Sequence, residues 1–349
     1  MIRMAKYLFR CTRGLMIAMK MLPLKKSRNN IHAKPVFFDL SNNLYERYLY
    51  LFIKFFLINN YVVYIKVNFK FLGDFDTYTM LLFKEKNVRF CFVKPKNCEL
   101  VFSDRKGKGI LLSYDYFSKH KTTKDFSVPM AMHPLVFYSN YYLEDIIDNE
   151  RKNSVFFAGS FEEKQYSILK EARKFNICSR IELYDYLKQN PLTIVPESMS
   201  VLDNKSAENK IVIIDRKYFS VPMQNLRKTL GQYNFFMACP GISMPFSHNI
   251  IEAMSVGTIP LIQADCAILF EPPLQHLENA IVFERIVDLD DIILFAFSMP
   301  ENKKTTMRKN VLHYYNLHLS PTAVVGNIVH LMPEKIYVNA EAHSVRLIN

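Results

Sequence analysis

Four near-continuous apolar runs, each closed by a turn residue and followed by a helix-length segment, constrain this chain more than any other feature. They are residues 154–158 (SVFFA), 210–214 (KIVII), 233–238 (YNFFMA) and 259–262 (IPLI). Strands of this kind carry no polar face, so they suit a sheet buried on both sides. Helix-length segments between them make the pattern strand, helix, strand, which is the signature of a doubly wound parallel sheet. A similar rhythm opens the chain. Residues 35–41 (PVFFDLS) read as a strand, and 44–57 as a buried helix behind Asn42 and Asn43. Residues 61–67 (YVVYIKV) read as the next strand. Further strands are expected at 88–93, 99–103 and 110–114, with a short helix ending at 81–83. Residues 126–137, which hold two prolines and His133, read as irregular.

At 349 residues the chain exceeds one ordinary core and accommodates two α/β domains. Residues 142–152 turn acidic and then basic without apolar periodicity, so the boundary is expected there. This gives an N-terminal domain over 1–150 and a C-terminal domain over 151–335, with the option that the last helix packs back on the first domain. Helices are expected over 162–175, 221–230, 247–255, 289–297, 307–316 and 323–331. Residues 190–209 read as a loop, and the last dozen residues as frayed.

The formal charge is +12, which points to an anionic partner. Lysine and arginine are spread along the chain without zinc-finger spacing or an aromatic RNA-binding signature, so nucleic acid is not the expected partner. The local excess lies in residues 1–28, where apolar residues alternate with Arg3, Lys6, Arg10, Arg13, Lys20, Lys25 and Lys26. The charge-free run there is too short to span a bilayer. The segment reads either as a basic amphipathic helix on anionic lipid or as a first helix packed on its domain. The six cysteines, with no CxxC pair, read as reduced thiols of a cytosolic protein.

Chemistry concentrates in residues 233–263, YNFFMACPGISMPFSHNIIEAMSVGTIPLIQ. An apolar strand ends at Pro240-Gly241, a helix starts near Ser247 with Glu252 inside it, and Gly257 ends it before the next strand. In an open parallel sheet, ligands bind beyond the carboxyl ends of the strands. Ser247 suits a helix cap or a phosphate donor, and Glu252 suits the vicinal hydroxyls of a ribose or sugar. A plain strand–helix–strand unit, with Ser247 a cap and Glu252 solvated, would carry the same residue types.

This segment resembles the donor-binding region of exostosin-like and related GT-B glycosyltransferases. Pro240, Gly241, Ser247, Glu252, Ala253, Gly257 and Pro260 stand where that pattern has its strand end, Pro-(x)-Gly, Ser-x-Arg-x-x-Glu-Ala and Gly-x-x-Pro. Asn249 stands where the family has arginine, and Arg216, Arg227 or Lys164 would have to supply that charge. The turn at Gly159-Ser160 resembles the first loop of the same donor domain, and Glu271 a loop residue bordering the sugar. The resemblance covers about residues 153–285. It implies two Rossmann-like domains facing across a cleft, and a metal-independent hexosyltransferase-like enzyme without cofactor. Such an enzyme would move a sugar from a nucleotide-sugar to a glycan or lipid-linked acceptor, in surface polysaccharide or lipopolysaccharide synthesis. It would work in the cytoplasm, peripherally on the inner face of a membrane. His133 is then the expected catalytic base, from the N-terminal domain, with Asp74, Asp76, Asp104 and Asp115 as alternatives. Asp288 and its neighbours read as a helix start. A GT-B epimerase, a non-sugar transferase and a non-catalytic scaffold of the same fold are the other readings. No Ser-His-Asp order, HExxH, P-loop or GxGxxG is present.

Overall fold

The structure, a computed structural model, describes residues 2–22, 33–144, 150–166, 172–198, 200 and 207–348. Lys25, Lys26 and parts of the expected boundary segment, of the helix over 162–175 and of the loop over 190–209 lie outside these. The chain divides into two compact units, Met1–Val128 with Pro321–Asn349, and Pro129–Ser320.

The first unit is built on a parallel sheet. Its strands are β1 (Pro35–Asp39), β2 (Val62–Lys66), β3 (Val88–Cys91), β4 (Leu100–Ser103), β5 (Ile110–Ser113) and β6 (Asp125–Ser127), completed by β13 (Lys335–Tyr337) from the chain's end. The order is β3-β2-β1-β4-β5-β13-β6, with parallel pairing throughout. The helix Arg47–Ile58 returns the chain from β1 to β2 and buries Phe52, Phe55 and Phe56 completely. Phe52 and Phe56 meet Phe38 of β1 and Phe102 of β4, the Phe38–Phe102 centroids being 4.8 Å apart. Aromatic residues, which weaken a helix assignment read by propensity alone, are what anchor this one to the sheet. Asn42 and Asn43 do not cap it: the helix starts at Arg47, and the Asn43 amide donates to Thr79 Oγ1 and the Asp74 carbonyl.

Two expectations are corrected here. Residues 338–348, expected to fray, are not frayed, because β13 inserts between β5 and β6, and Val338, Ala340 and Val345 are buried behind it. A three-residue strand has too little period to be read from sequence; its pairing decides it. Residues 126–137 are likewise ordered, into β6 and the helix Pro134–Tyr138.

The N-terminal helix, Ile2–Met21, packs on its own unit, as one of the two readings of its sequence expects. One face docks on the helix Phe69–Gly73, where a Cβ on Gly14 would lie 1.7 Å from the Phe69 carbonyl oxygen. Arg10 pairs with Asp74 at 2.9 Å, and Arg13 donates to the Gly73 and Phe75 carbonyls. Met4, Leu8, Phe9, Met16 and Met19 remain exposed on the rest of its surface. Among the described residues no helix is long and apolar enough to cross a membrane.

The second unit holds the doubly wound sheet expected from its apolar runs. Its strands are β7 (Lys152–Gly159), β8 (Thr193–Ile194), β9 (Ile211–Asp215), β10 (Tyr233–Met237), β11 (Ile259–Gln263) and β12 (Ile281–Phe283), in the order β12-β11-β10-β7-β9-β8 and all parallel. Every residue of β9, β10 and β11 is buried. The chain leaves β7 for β8 and β9 on one side, then returns to add β10, β11 and β12 on the other. The topological switch point therefore lies between β7 and β10, the place where open sheets of this kind take ligands. In the first unit the equivalent point lies between β1 and β4.

Candidate functional site

At the carboxyl edge of the second sheet, β7 ends at Gly159-Ser160 and β10 runs into Cys239-Pro240-Gly241. One side chain ties the two ends together. Arg180 donates from Nε and Nη2 to the Pro240 carbonyl at 3.0 and 2.7 Å, and from Nη1 to the Ser160 carbonyl at 3.4 Å. It is only 5% exposed and lies over the Phe157 ring. The Gly241 N–H donates to the Met244 carbonyl, and a Cβ at Gly241 would sit 2.5 Å from the Phe246 oxygen, so the turn closes only without a side chain.

Ser247 occupies the N-cap position of the helix His248–Met254 with extended backbone, φ −129° and ψ 153°, yet its hydroxyl makes no cap bond. It is 6% exposed, and Oγ has no hydrogen-bond partner among the described residues. Leaving a hydroxyl dry and unpaired costs about 1–3 kcal/mol, so a site that keeps one there is suited to an external acceptor. Asn249 turns inward and donates to the Ala158 carbonyl at 2.6 Å, which pins this helix to the end of β7. Where the family pattern has a cation, this chain has a structural tie.

Of the substitute cations, Arg216 is exposed and its own N–H holds the Gly159 carbonyl at 2.9 Å, directly beside the turn. Arg227 is committed elsewhere, to the Tyr141 and Glu144 carbonyls and Ser255 Oγ. Glu271 is exposed; it follows Phe270, whose ring packs edge-on against Phe246 at 5.1 Å, and its charge bears on the Tyr314 hydroxyl.

Glu252 is not solvated: it is 1% exposed, and Oε1 accepts the His133 backbone N–H at 3.0 Å. Burial pushes its carboxyl up to about 7, opposed by that hydrogen bond and by the charge of Arg227. His133 does not belong to the N-terminal unit, because residues from Pro129 onward group with the second. Its Nδ1 accepts the Leu135 N–H at 3.3 Å, which leaves the proton of the neutral ring on Nε2. The ring nitrogen caps a helix while the backbone N–H holds Glu252; a ring whose basic nitrogen is so occupied is a poor general base. Its neighbour is His248, 5.4 Å away between ring centroids, whose Nδ1 is 2.6 Å from the Ala131 carbonyl. A carbonyl only accepts, so His248 carries its proton on Nδ1.

At the equivalent edge of the first unit the side chains are acidic. Asp39 pairs with Lys66 at 3.1 Å and Arg105 at 2.6 Å. Asp104 Oδ2 accepts the Ser41 N–H, the Ser41 hydroxyl and the Asn42 N–H at 2.8, 2.7 and 3.0 Å, while Oδ1 is buried with no hydrogen-bond partner among the described residues. Asp74 and Asp76, by contrast, are held by Arg10 and by Thr79.

Sequence reasoning missed Arg180 and His248. The first had a legible signal, since Ser179 and Glu182 form a capping box in the structure and in the sequence pattern. The second stands one helical turn before Glu252, on the same face.

No family model matches the chain and no curated protein matches it. Solved structures similar to it include Anabaena HepE in complex with UDP and glucose, at 13% identity over 86% of this chain and 99% of that one, with a TM-score of 0.45. A glycosyltransferase from Rickettsia africae is similar at 10% identity over 86% of this chain and 98% of that one, with a TM-score of 0.43.

Proposed function

We propose that the chain is a glycosyltransferase that takes its sugar from a nucleotide-sugar bound at the carboxyl edge of the second sheet. The observation that carries this reading is the buried Ser247 hydroxyl, without a partner beside the switch point of β7 and β10. In this assignment the donor diphosphate accepts from Ser247 and from the turn at Gly159-Ser160, the Pro240-Gly241 turn shapes the wall beside it, and Arg216 supplies positive charge. Asn249 contributes indirectly by fixing the helix. Glu252 as a carboxylate accepts from the vicinal ribose hydroxyls, which requires the 131–133 segment to shift from it. Glu271 borders the sugar.

Within the first unit, Asp104 is the side chain with the form of a general base. Its Oδ2 is fixed by four donors from Ser41 and Asn42 and its Oδ1 is left to accept, which is the arrangement a general base needs. The acceptor oxygen forms its bond to the anomeric carbon as the bond to the diphosphate breaks. Its proton passes to a general base, and the nucleoside diphosphate leaves, with inversion at that carbon. Protein donors meet the charge of the leaving group, so the reading requires no metal. The test is a thermal-shift panel of UDP, GDP, CMP and dTDP. A nucleotide at about a hundred times its Kd adds about 2.7 kcal/mol. One of the four is expected to raise the Tm, and Ser247→Ala to weaken that nucleotide about tenfold, the value of a hydrogen bond to a charged group. A flat panel would favour the scaffold reading instead.

We further propose a glycan or lipid-linked acceptor of the surface-polysaccharide or lipopolysaccharide kind, met peripherally at the cytoplasmic face of a membrane. The support is the N-terminal helix: its exposed Met4, Leu8, Phe9, Met16 and Met19 lie among Lys6 and Lys20, and no acidic residue precedes Asp39. Each basic residue near an anionic surface contributes about 1 kcal/mol. The protein is expected to sediment with phosphatidylglycerol vesicles and not with neutral ones, and Phe9→Glu to reduce this. Equal sedimentation with both would refute an electrostatic contact.

A further inference from the structure

The second unit holds a cavity of about 480 Å³ at the opposite edge of its sheet from Ser247. Its walls come from the amino ends of the strands. Arg151 immediately precedes β7, Arg227 sits on the helix Met223–Leu230 that leads into β10, and residues 255–257 lead into β11. Arg308 and Lys309 enter from the helix Glu301–Tyr314. The helix His248–Met254 separates this cavity from Ser247 by about 10 Å, at 1.5 Å per residue.

Arg227 is 7% exposed, and its hydrogen-bond partners are neutral: the Tyr141 carbonyl at 3.0 Å, the Glu144 carbonyl at 3.2 Å and Ser255 Oγ at 3.2 Å. Arg151 donates to the Val256 carbonyl at 2.7 Å and to Thr258 Oγ1 at 3.3 Å. Carbonyls and a hydroxyl orient the Arg227 guanidinium without cancelling its charge. Arg308 shares the Glu301 carboxylate at 3.0 Å, and Lys309 is exposed. Among the described residues four cations thus meet Glu144 at the rim, Glu301 behind Arg308 and Glu252, whose buried carboxyl bears on Arg227. A buried cation whose partners are neutral is compensated most directly by an anion. The volume falls in the range of small-molecule sites, about 300–1,000 Å³, and the rings of Tyr142 and Tyr315 complete the lining.

We infer that this cavity is a second anion site, built for a small ligand carrying two or more phosphate charges, and distinct from the carboxyl-edge site. Arginine is the residue type that recognises phosphate oxygens in pairs. The inference stands on the cavity itself and does not depend on the chain's being a transferase.

The experiment is calorimetric titration of the full chain with inorganic pyrophosphate, on the wild type and on Lys309→Glu, Leu312→Glu and Ser247→Ala. Lys309 and Leu312 are exposed positions on one helix face that line the cavity, so the fold tolerates their replacement. Circular dichroism checks that it does. Binding at the cavity is expected in the wild type, weakened about tenfold or more by Lys309→Glu and Leu312→Glu, and retained in Ser247→Ala, which removes only what the carboxyl edge contributes. No heat in the wild type would overturn the inference. So would binding that Ser247→Ala weakens and the cavity variants do not, which would place the anion at the carboxyl edge and leave the nucleotide reading standing.

Discussion

The two switch points share one topology and carry opposite chemistry. Between β1 and β4 stand two carboxylates, Asp39 neutralised by Lys66 and Arg105, and Asp104 held at one oxygen with the other left over. Between β7 and β10 stand glycines, a dry hydroxyl, and an arginine turned away to brace the turns. Parallel sheets offer the same crevice whatever their sequence; the residues at the strand ends decide what enters. A crevice whose one unneutralised carboxylate keeps an oxygen to accept suits an acceptor's proton. A crevice of hydroxyl and backbone donors suits the diphosphate. This contrast, rather than the fold, separates a donor side from an acceptor side.

The contrast breaks most visibly at Asp104. Asp104→Asn keeps an oxygen to accept from Ser41 and Asn42 but removes the base, so kcat for sugar transfer is expected to fall by about 10²–10⁴-fold, with the nucleotide-induced Tm shift unchanged. A matching loss of that shift would mean that the first unit binds the nucleotide after all.

Glu252 gives a smaller, pH-dependent effect. Its folded value, about 7, lies above the ordinary carboxyl value of 4.5. The native state therefore holds the proton between these limits while the unfolded chain has lost it, and stability falls as pH rises from about 4.5 through 7. Glu252→Gln is expected to gain in Tm over the wild type at pH 8 and to show no gain near pH 4. Nucleotide binding should move the other way, because the ionised form accepts the ribose hydroxyls. Below about 7 affinity weakens by up to tenfold per pH unit in the wild type and stays flat in Glu252→Gln. A wild-type affinity independent of pH between 6 and 8 would remove Glu252 from the site.

Much of this was legible in the sequence where neighbours along the chain decide the outcome. The strands at 154–158, 210–214, 233–238 and 259–262 declared themselves by unbroken apolar runs, and Pro240, Gly241, Ser247, Asn249 and Glu252 by their order within one short segment. What required the structure depends on contacts far apart in the chain. Arg180 reaches Pro240 across 60 residues, and His133 covers Glu252 across 119. The strands β6, β8 and β13 are two or three residues long and exist through their partners. Asp104 was one aspartate among several in loops, and only its hydrogen bonds to Ser41 and Asn42 set it apart.

Hydrogen–deuterium exchange with and without the nucleotide that raises the Tm tests the difference between the two switch points directly. The account predicts protection of amides in 159–161 and 239–249, with those in 39–42 and 103–106 unchanged. Protection confined to 39–42 and 103–106 would reverse the assignment and contradict it.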